Sequence, residues 1–365
     1  MTTETPARTE RALNFNPGPS ALPQSVLEEV RDNLLDFQGT GIGVCEHSHR
    51  AKVIDPIFAD AQNDLADLLG ISLDDWAVLF LQGGARQQFY QIPMNFLQGK
   101  TANYLDTGTW SSGAIGEAKF YGTAHVACSS KKDNYTYIPD SADYAADSVY
   151  THFTSNNTIF GTQFHSEPDA PSPLVCDASS DILSRPLAMD KYGMIYAGAQ
   201  KNLGPAGVTI AVIKKSFMET GATDLPKMAQ YRTHAANDSR FNTPPVFAIY
   251  VVSLVLKWLK GQGGLTAMAK VNDRKAELLY GCLDSTEFYR PPVRVKDRSK
   301  MNVVFRLPSE ELEAKIIKEA DAAGLKGLKG HRSVGGLRAS IYNAMPLEGV
   351  QQLVDFLKEF ERKNG

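Results

Sequence analysis

A single lysine occupies the kind of position in which a catalytic amine is found. Lys201 follows the apolar run 194–199 and precedes a turn rich in glycine and proline, residues 204–207. Asp177 ends an earlier apolar run, residues 173–176. This arrangement is typical of pyridoxal phosphate enzymes, because that cofactor needs a Schiff-base lysine and an acidic partner for its ring nitrogen. A surface lysine in an ordinary turn is the alternative that these residues alone leave open.

A candidate phosphate site lies at residues 83–86, Gly-Gly-Ala-Arg, between the strand-like run 77–82 and a helix-like pattern. Backbone N–H groups at a helix start can bind phosphate, and small residues let it approach closely. Many strand-to-helix turns contain two glycines, so an ordinary turn remains the alternative. The glycine-rich segment 39–43 follows a helix-like pattern and opens no helix, which excludes a dinucleotide fingerprint there.

Two His-Arg pairs could bind anions. They are His49-Arg50 and His331-Arg332, and Arg338 follows the second pair on a short alternating segment. Arginine offers two parallel donors to a carboxylate or phosphate, and histidine adds another. No second ligand cluster with matching spacing accompanies the Cys45–His49 region, so no metal site is predicted.

Trp110 lies where a strand-like segment ends and a helix-like segment begins. Ligands of open parallel sheets bind at the carboxyl ends of the strands, where a flat indole could stack on a planar ring. A buried aromatic residue at a helix start is the alternative.

The elements that would position these residues alternate between strand-like and helix-like patterns. Apolar runs at 77–82, 101–106, 125–129, 173–177, 194–199 and 207–213 are separated mostly by helical patterns, which predicts a mainly parallel sheet covered on both faces. A first helix is predicted from Pro23 to Gly39 with Leu34 on its inward stripe, and a second over 55–69. Beyond 264 the pattern predicts helices and short strands, an α+β unit.

Composition excludes several classes of protein. The chain has 365 residues, 43% of them hydrophobic, and a net charge of −3, which argues against a nucleic-acid-binding protein. The four cysteines form no paired motif, as expected for free thiols in a reducing compartment. The start lacks a signal-peptide pattern, and no apolar run is long enough to span a membrane. We therefore expect a cytoplasmic protein.

Taken together, these segments resemble the phosphoserine aminotransferase family, within class V of the fold-type I pyridoxal phosphate enzymes. The resemblance covers nearly the whole chain, and its most specific segments occur in the same order. They are SHR (48–50), FLQGGARQQF (80–89), CDASSDILSRP (176–186), YAGAQKNLGPAG (196–207), FNTPP (241–245) and KGHRSVGGLRASIYNAMPLEGV (329–350).

The resemblance implies a fold and a cofactor site. The fold would be α/β, with a flexible tail (1–12), a large pyridoxal-phosphate-binding domain (13–264) and a small C-terminal α+β domain (265–365). The N-terminal segment of the large domain could pack on the small one. The cofactor would be held by a set of residues that bind its aldehyde, ring and phosphate. These are Lys201 (Schiff base), Asp177 (ring nitrogen), Trp110 (stacking), Thr158 (ring hydroxyl), Ala85, Arg86 and Gln200 (phosphate), and Asn242 and Thr243 (phosphate, from a second subunit).

The resemblance also implies a reaction. Arg338 would bind the substrate α-carboxylate, and the two His-Arg pairs would bind the distal phosphate or carboxylate, some of them across a homodimer interface. The expected reaction converts 3-phosphohydroxypyruvate and L-glutamate to O-phospho-L-serine and 2-oxoglutarate by a ping-pong route. A related transamination of 3-hydroxy-2-oxo-4-phosphonooxybutanoate, in vitamin B6 synthesis, is implied as well.

Three alternatives remain. A small-amino-acid:glyoxylate aminotransferase of the same class would not need two His-Arg pairs, because its substrate side chain is small and neutral. A cysteine desulfurase needs a catalytic cysteine on a mobile loop, a context that Cys282 lacks. A non-catalytic phosphometabolite-binding protein would use the glycine turn and the arginines without the chemistry of Lys201.

Overall fold

A computed structural model describes residues 11–365, so most of the predicted N-terminal tail lies outside the described residues. The chain alternates between strands and helices through its first two thirds. The strands are β1 (Leu13–Asn14), β2 (Trp76–Gln82), β3 (Thr101–Asp106), β4 (Thr123–Ser129), β5 (Thr151–Thr154), β6 (Leu174–Asp177), β7 (Tyr192–Gly198), β8 (Val208–Lys214), β9 (Asn302–Phe305), β10 (Leu325–Lys326) and β11 (Leu337–Ser340). The helices are α1 (Gln24–Asp32), α2 (Asp55–Leu69), α3 (Gln88–Phe96), α4 (Thr109–Ala118), α5 (Lys215–Met218), α6 (Tyr231–Ala235), α7 (Val246–Gly261), α8 (Gly264–Leu283), α9 (Glu310–Ala322) and α10 (Leu347–Asn364).

Seven strands form the large sheet, in the order β2-β8-β7-β6-β5-β3-β4. The neighbours from β7 to β4 pair in parallel, which confirms the mainly parallel sheet predicted from the alternation. Strand β8 runs antiparallel to both of its neighbours. Its direction follows from the short connection 199–207, because a parallel neighbour would require a crossover of a dozen or more residues.

Both faces of the large sheet are buried along its inner strands, as a parallel sheet requires, while the edge strand β4 is partly exposed. Alternate residues of β2 show this, since Val78 and Phe80 belong to one apolar cluster, and Leu79 and Leu81 belong to the other. The first cluster includes residues of α2 and α7, and the second includes residues of α3 and α4. The sheet is therefore a layer between two apolar clusters, and the carboxyl ends of its parallel strands form one edge.

The C-terminal part of the chain has its own apolar cluster, built from α8, α9, α10 and the short strands. Strands β9 and β11 pair antiparallel, and β1 pairs in parallel with β10. The N-terminal segment thus packs with the C-terminal part, and Phe15 is fully buried in this cluster. On this basis we propose the division at residue 264 as the boundary of two domains.

The first helix differs from its prediction. Helix α1 ends at Asp32, and Leu34, expected on its inward stripe, is 41% exposed. The Asn33 carbonyl accepts a hydrogen bond from the Val44 N–H at 3.1 Å, so the chain turns away there into a loop. The prediction that the helix continues to Gly39 was wrong, because this contact between distant residues replaces the helical one.

Helix α2 spans the predicted residues 55–69. Among residues 11–365, a single helix long and apolar enough to cross a membrane is not found. Helices α7 and α8 meet that criterion only as a pair, with an 83° bend between them.

Candidate active site

Lys201 lies in the turn that joins β7 to β8, at the edge where the parallel strands end. The N–H groups of Leu203 and Gly204 both donate to the Ala199 carbonyl, at 3.1 and 2.8 Å, which closes the turn. The same turn contacts the predicted phosphate segment, because the Gly83 N–H donates to the Gly207 carbonyl at 3.0 Å. The turn that carries the lysine and the glycine turn are therefore neighbours.

The amine of Lys201 is held between a hydroxyl and an aromatic ring. Its Nζ donates to the Thr158 Oγ1 at 2.7 Å and lies 5.8 Å from the centroid of the Trp110 ring. Burial lowers the pKa of Lys201 to about 8, with Arg338 adding to the decrease and Asp177 opposing it. A lysine with this pKa is neutral in a useful fraction of molecules near neutral pH, as a nucleophile or a base must be.

Asp177 is the last residue of β6 and is 5% exposed. Its Oδ1 accepts hydrogen bonds from the Ser179 N–H at 3.0 Å and from the Ser179 hydroxyl at 2.6 Å. The Gly198 N–H donates in turn to that hydroxyl at 3.1 Å, which ties the end of β7 to the acid. Burial raises the pKa of Asp177, while Lys201 and the bonds from Ser179 oppose the rise. Within the described residues Oδ2 has no hydrogen-bond partner, so it can accept from a ring N–H.

Thr158 joins the lysine to the predicted carboxylate-binding arginine. Its side chain accepts from Lys201, and its carbonyl accepts a hydrogen bond from Arg338 Nη1 at 2.8 Å. Thr158 and Arg338 are 3% and 6% exposed. The structure therefore brings together three predicted site residues from distant parts of the sequence.

Several buried polar atoms near this cluster have no partner within residues 11–365. They include Trp110 Nε1, Gln200 Oε1 and Arg338 Nε. Such atoms are costly to bury unless a ligand or water satisfies them. A buried acid, an amine, a ring face and unpaired donors suit a flat heteroaromatic ligand that carries an aldehyde and an anion.

Trp110 lies in the first turn of α4. The preceding Gly108 has no room for a side chain, because a Cβ there would lie 1.8 Å from the Asn157 amide nitrogen. That amide donates to the Thr107 carbonyl at 2.6 Å, which fixes the start of the helix. The position of the indole therefore depends on a glycine two residues before it.

The predicted phosphate segment, residues 83–86, forms a tight turn that leads into a helix. Gly83 has a φ of +86°, and Ala85 begins a single turn of 3₁₀ helix ahead of α3. Ala85 is not among the described residues with positive φ, so a side chain at this position causes no backbone strain. Asn242 and Thr243 lie near the end of β2, where the Thr243 carbonyl accepts from the Gln82 side chain at 2.5 Å. Their phosphate contact across a dimer stays a prediction, as do the phosphate contacts of Arg86 and Gln200.

The two His-Arg pairs lie in loops, and only one of them is near Arg338 within the chain. Burial lowers the pKa of His331, and the charges of Arg338 and Arg332 lower it further. Burial, Arg50 and Arg240 likewise lower the pKa of His49. Each pair is therefore a local concentration of positive charge.

No catalytic or binding role was predicted for the N-terminal loop, yet this loop packs on the lysine. The Ser20 N–H donates to the Gln200 carbonyl at 3.0 Å, and its hydroxyl donates to the Lys201 carbonyl. A Cβ at Gly18 would lie 3.1 Å from Lys201 Cγ. The dense Pro-Gly sequence of residues 17–19 was the available signal, because such segments allow close backbone approach. Ser179 was missed as well.

The chain matches the family model of the class-V aminotransferases over residues 12–353. A phosphoserine aminotransferase from Desulfosudis oleivorans is 55% identical over 360 residues, which cover 98% of this chain and 99% of that protein.

Solved structures of phosphoserine aminotransferases are also similar to this chain. The phosphoserine aminotransferase from Bacillus circulans subsp. alkalophilus superposes with a TM-score of 0.95 at 49% identity, over 98% of this chain and all of that one. The phosphoserine aminotransferase from Trichomonas vaginalis, described as bound to pyridoxal phosphate, superposes with a TM-score of 0.91 at 37% identity, over 95% of this chain and all of that one.

Proposed function

The chain belongs to the aminotransferase class-V family, and we propose that it is a phosphoserine aminotransferase that uses pyridoxal phosphate. The reaction would exchange the amino group between L-glutamate and 3-phosphohydroxypyruvate, giving 2-oxoglutarate and O-phospho-L-serine. The observation that carries the proposal is the placement of Lys201, hydrogen-bonded to Thr158 and close to Trp110, in a chain this similar to proteins of that name.

The residues present fit the cofactor. When bound, pyridoxal phosphate supplies an aldehyde that condenses with amines and a ring that accepts electrons from the substrate Cα. Asp177 Oδ2 would accept the ring N–H, and the hydrogen bonds from Ser179 would keep this carboxylate oriented. Trp110 would stack on the ring, and the segment 83–86 with Gln200 would bind the phosphate.

Lys201 would act as both nucleophile and base. With its pKa lowered to about 8, roughly a tenth of the amine is neutral at pH 7. The neutral amine would take the proton from the substrate Cα and give it back at the former aldehyde carbon, which lies one nitrogen away from Cα. The Thr158 hydroxyl accepts from Nζ at 2.7 Å in the described state, so it would orient the amine for that transfer.

Arg338 would bind the α-carboxylate that both amino acids share. It is 6% exposed and fixed through Nη1 to the Thr158 carbonyl, while its Nε is buried without a partner in residues 11–365. A carboxylate would satisfy that donor and neutralise the buried charge. The distance between Arg338 and Lys201 would then determine how close the substrate Cα lies to the Lys201 amine.

The His-Arg pairs would bind the distal anion, which is a phosphate in one half-reaction and a carboxylate in the other. A substrate with a small neutral side chain has no use for them, which disfavours the glyoxylate aminotransferase alternative. We infer that some of these residues come from a second subunit of a homodimer, since His331 lies near Arg338 whereas His49 lies near Arg240. We also infer a cytoplasmic location from the free cysteines.

Single-turnover absorption measurements would test this function. The purified protein, loaded with pyridoxal phosphate, would be mixed separately with O-phospho-L-serine, L-glutamate, L-alanine and L-serine. We expect rapid loss of the visible cofactor absorption with the first two and much slower loss with the last two. A protein that binds no pyridoxal phosphate, or that prefers alanine to O-phospho-L-serine, would contradict the proposal.

A further inference from the structure

The two parts of the candidate site are carried by different layers. Lys201 follows β7 of the large sheet, and Arg338 lies on β11 of the C-terminal part. A reaction at the substrate Cα requires these two groups at a fixed separation. Among the hydrogen bonds of residues 11–365, those of Thr158 reach both side chains, with one bond to each. A second connection lies behind the site.

Three consecutive backbone carbonyls, those of residues 182–184, each accept a hydrogen bond from a different asparagine. Asn202 donates to the first at 2.6 Å, Asn343 to the second at 2.9 Å, and Asn272 to the third at 3.1 Å. All three asparagines are buried, with exposures of 7%, 5% and 2%. They come from the lysine turn, from the segment after β11 and from α8.

The middle residue of these three, Leu183, has a left-handed backbone conformation. Leu183 has a φ of +58°, which is unfavourable for a residue with a side chain and persists only where its surroundings enforce it. Leu183 is also 1% exposed. The three amide donors and the packing of the Leu183 side chain hold the backbone in this conformation.

Asn343 is the centre of this cluster. Its N–H donates to the Asn202 side-chain oxygen at 3.0 Å, and its own side-chain oxygen accepts from Asn272 at 2.8 Å. Asn202 is adjacent to Lys201, and Asn343 lies five residues after Arg338. The segment that carries the base and the segment that carries the carboxylate donor are thus connected by the bond from the Asn343 N–H to the Asn202 side chain. The Asn343 side chain adds a second connection, to the Leu183 carbonyl, and this is the one that an alanine substitution removes.

The segment that contains Asn343 is held from its other side by Lys275. The amine of this fully buried lysine donates to the carbonyls of Ile341, Tyr342 and Met345, at 3.0, 2.7 and 3.1 Å. Three acceptors match the three donors of an ammonium group. The segment 341–345 is therefore clamped between α8 and the large sheet, and it has little freedom to shift.

We propose that Asn343 is a positioning residue that sets the separation of Arg338 from Lys201. It bridges the two parts through Asn202 and the Leu183 carbonyl. This inference rests on the proposed function, in which Arg338 binds the substrate carboxylate. Asn343 touches neither substrate nor cofactor in this role; it determines where a bound carboxylate lies relative to the amine.

The test uses 2-methyl-L-glutamate, a substrate analogue that has no hydrogen on Cα and so cannot complete the reaction. Its dissociation constant is measured by titrating the visible absorption of the protein loaded with pyridoxal phosphate. For Asn343→Ala we expect at least a tenfold weaker binding of this compound, with the affinity for pyridoxal phosphate changed less than twofold.

The matched control is Asn103→Ala. Asn103 is fully buried in β3, donates to the Ala145 carbonyl and the Ser148 hydroxyl at 3.1 and 2.7 Å, and connects only parts of the large sheet layer. Its loss would lower the thermal unfolding midpoint about as much as the loss of Asn343. We expect its affinity for 2-methyl-L-glutamate to stay within twofold of that of the unaltered protein.

If Asn343→Ala does not fold, Asn272→Ala removes the donor to its side-chain oxygen, and at least threefold weaker binding is expected. Unchanged analogue binding in whichever of these two variants folds would overturn the inference, because the asparagines would then contribute to stability alone. A different result would contradict the proposed function itself. In that case the unaltered, loaded protein shows no absorption change with O-phospho-L-serine or with 2-methyl-L-glutamate.

Discussion

The cofactor end of the candidate site and the distal anion loops are built in opposite ways. Lys201, Thr158 and Arg338 are connected by hydrogen bonds within one chain. Asp177 is held by Ser179, and Asp177, Thr158 and Arg338 are at most 6% exposed. Arg50 and Arg332 are exposed, and within residues 11–365 neither guanidinium has a hydrogen-bond or ion-pair partner. The groups of the first region are already paired with one another, whereas the arginines of the second region are unpaired within residues 11–365 and can bind an anion.

The difference follows from what each region would bind. A cofactor that stays through every cycle can have its binding groups held permanently in place, and their fixed geometry serves the chemistry. The distal loops would bind either a phosphate or a carboxylate, so their donors must adapt to two shapes. The positive charges of these loops repel one another until an anion binds. The binding free energy at this end therefore depends on the charge of the substrate.

The largest effect is expected at the organised end. Lys201→Ala should reduce turnover at least about a thousandfold, because it removes the group that moves the proton. Steady-state assays with O-phospho-L-serine would measure it, and gel filtration would show that pyridoxal phosphate still binds but is released on dilution. The exposed Lys191→Ala is the matched control and should keep full activity. Retention of activity in Lys201→Ala would remove the lysine from the mechanism.

The distal loops should show selectivity instead of total loss. Arg332→Ala should raise the KM for O-phospho-L-serine by about 10- to 150-fold, since a charge-assisted hydrogen bond contributes roughly 1.5–3 kcal/mol. The rate with L-alanine should not change, because alanine has no distal anion. Arg362→Ala, a surface arginine of α10, serves as the control. An equal loss on both amino acids would reassign Arg332 to a structural role.

The pH dependence should distinguish the two ends as well. Burial and neighbouring arginines hold the pKa values of His49 and His331 below 6.5 in the free protein. A bound anion favours the protonated form, so each pKa rises on binding and protons are taken up. Affinity for O-phospho-L-serine should therefore strengthen severalfold as pH falls from 8 to 6, while alanine affinity does not follow this trend. Titrations at several pH values measure it, and parallel curves for the two compounds would contradict the assignment.

The smallest effect is expected at Glu313, which holds the loop that contains His331 and Arg332. Glu313 Oε1 accepts from Arg306 Nε at 2.5 Å, and Oε2 accepts from the Gly336 N–H at 3.1 Å, which anchors the loop 329–336 to α9. Glu313→Gln keeps the shape and removes the charge. We expect a three- to tenfold higher KM for O-phospho-L-serine, from about 1 kcal/mol of weakened bonding. Steady-state kinetics with alanine should show no change; a similar change with alanine would mean that the loop also supports Arg338.

Much of the fold was predictable from local pattern. The alternation of apolar runs with helical stripes gave the mainly parallel sheet, and helix α2 was predicted to the residue. The direction of β8 was not part of that prediction, although the shortness of the connection 199–207 was visible in the sequence. Helix α1 was predicted too long because a contact from Val44 to Asn33 ends it, and such a contact leaves no local trace.

For the candidate site, the sequence by itself determined the chemistry and its order along the chain. A lysine and an aspartate at strand ends, a glycine turn and two His-Arg pairs are properties of residue type and spacing. Their roles as a set stay predictions that kinetics can test.

Tertiary structure alone decided which of these residues meet. Thr158 accepts from Lys201 and from Arg338, the latter 180 positions away in sequence. The N-terminal loop packs on the lysine through Ser20, and Asn343 joins two layers through buried amides. Such contacts depend on how buried surfaces pack and on which buried polar groups find partners, and neither is written in local periodicity.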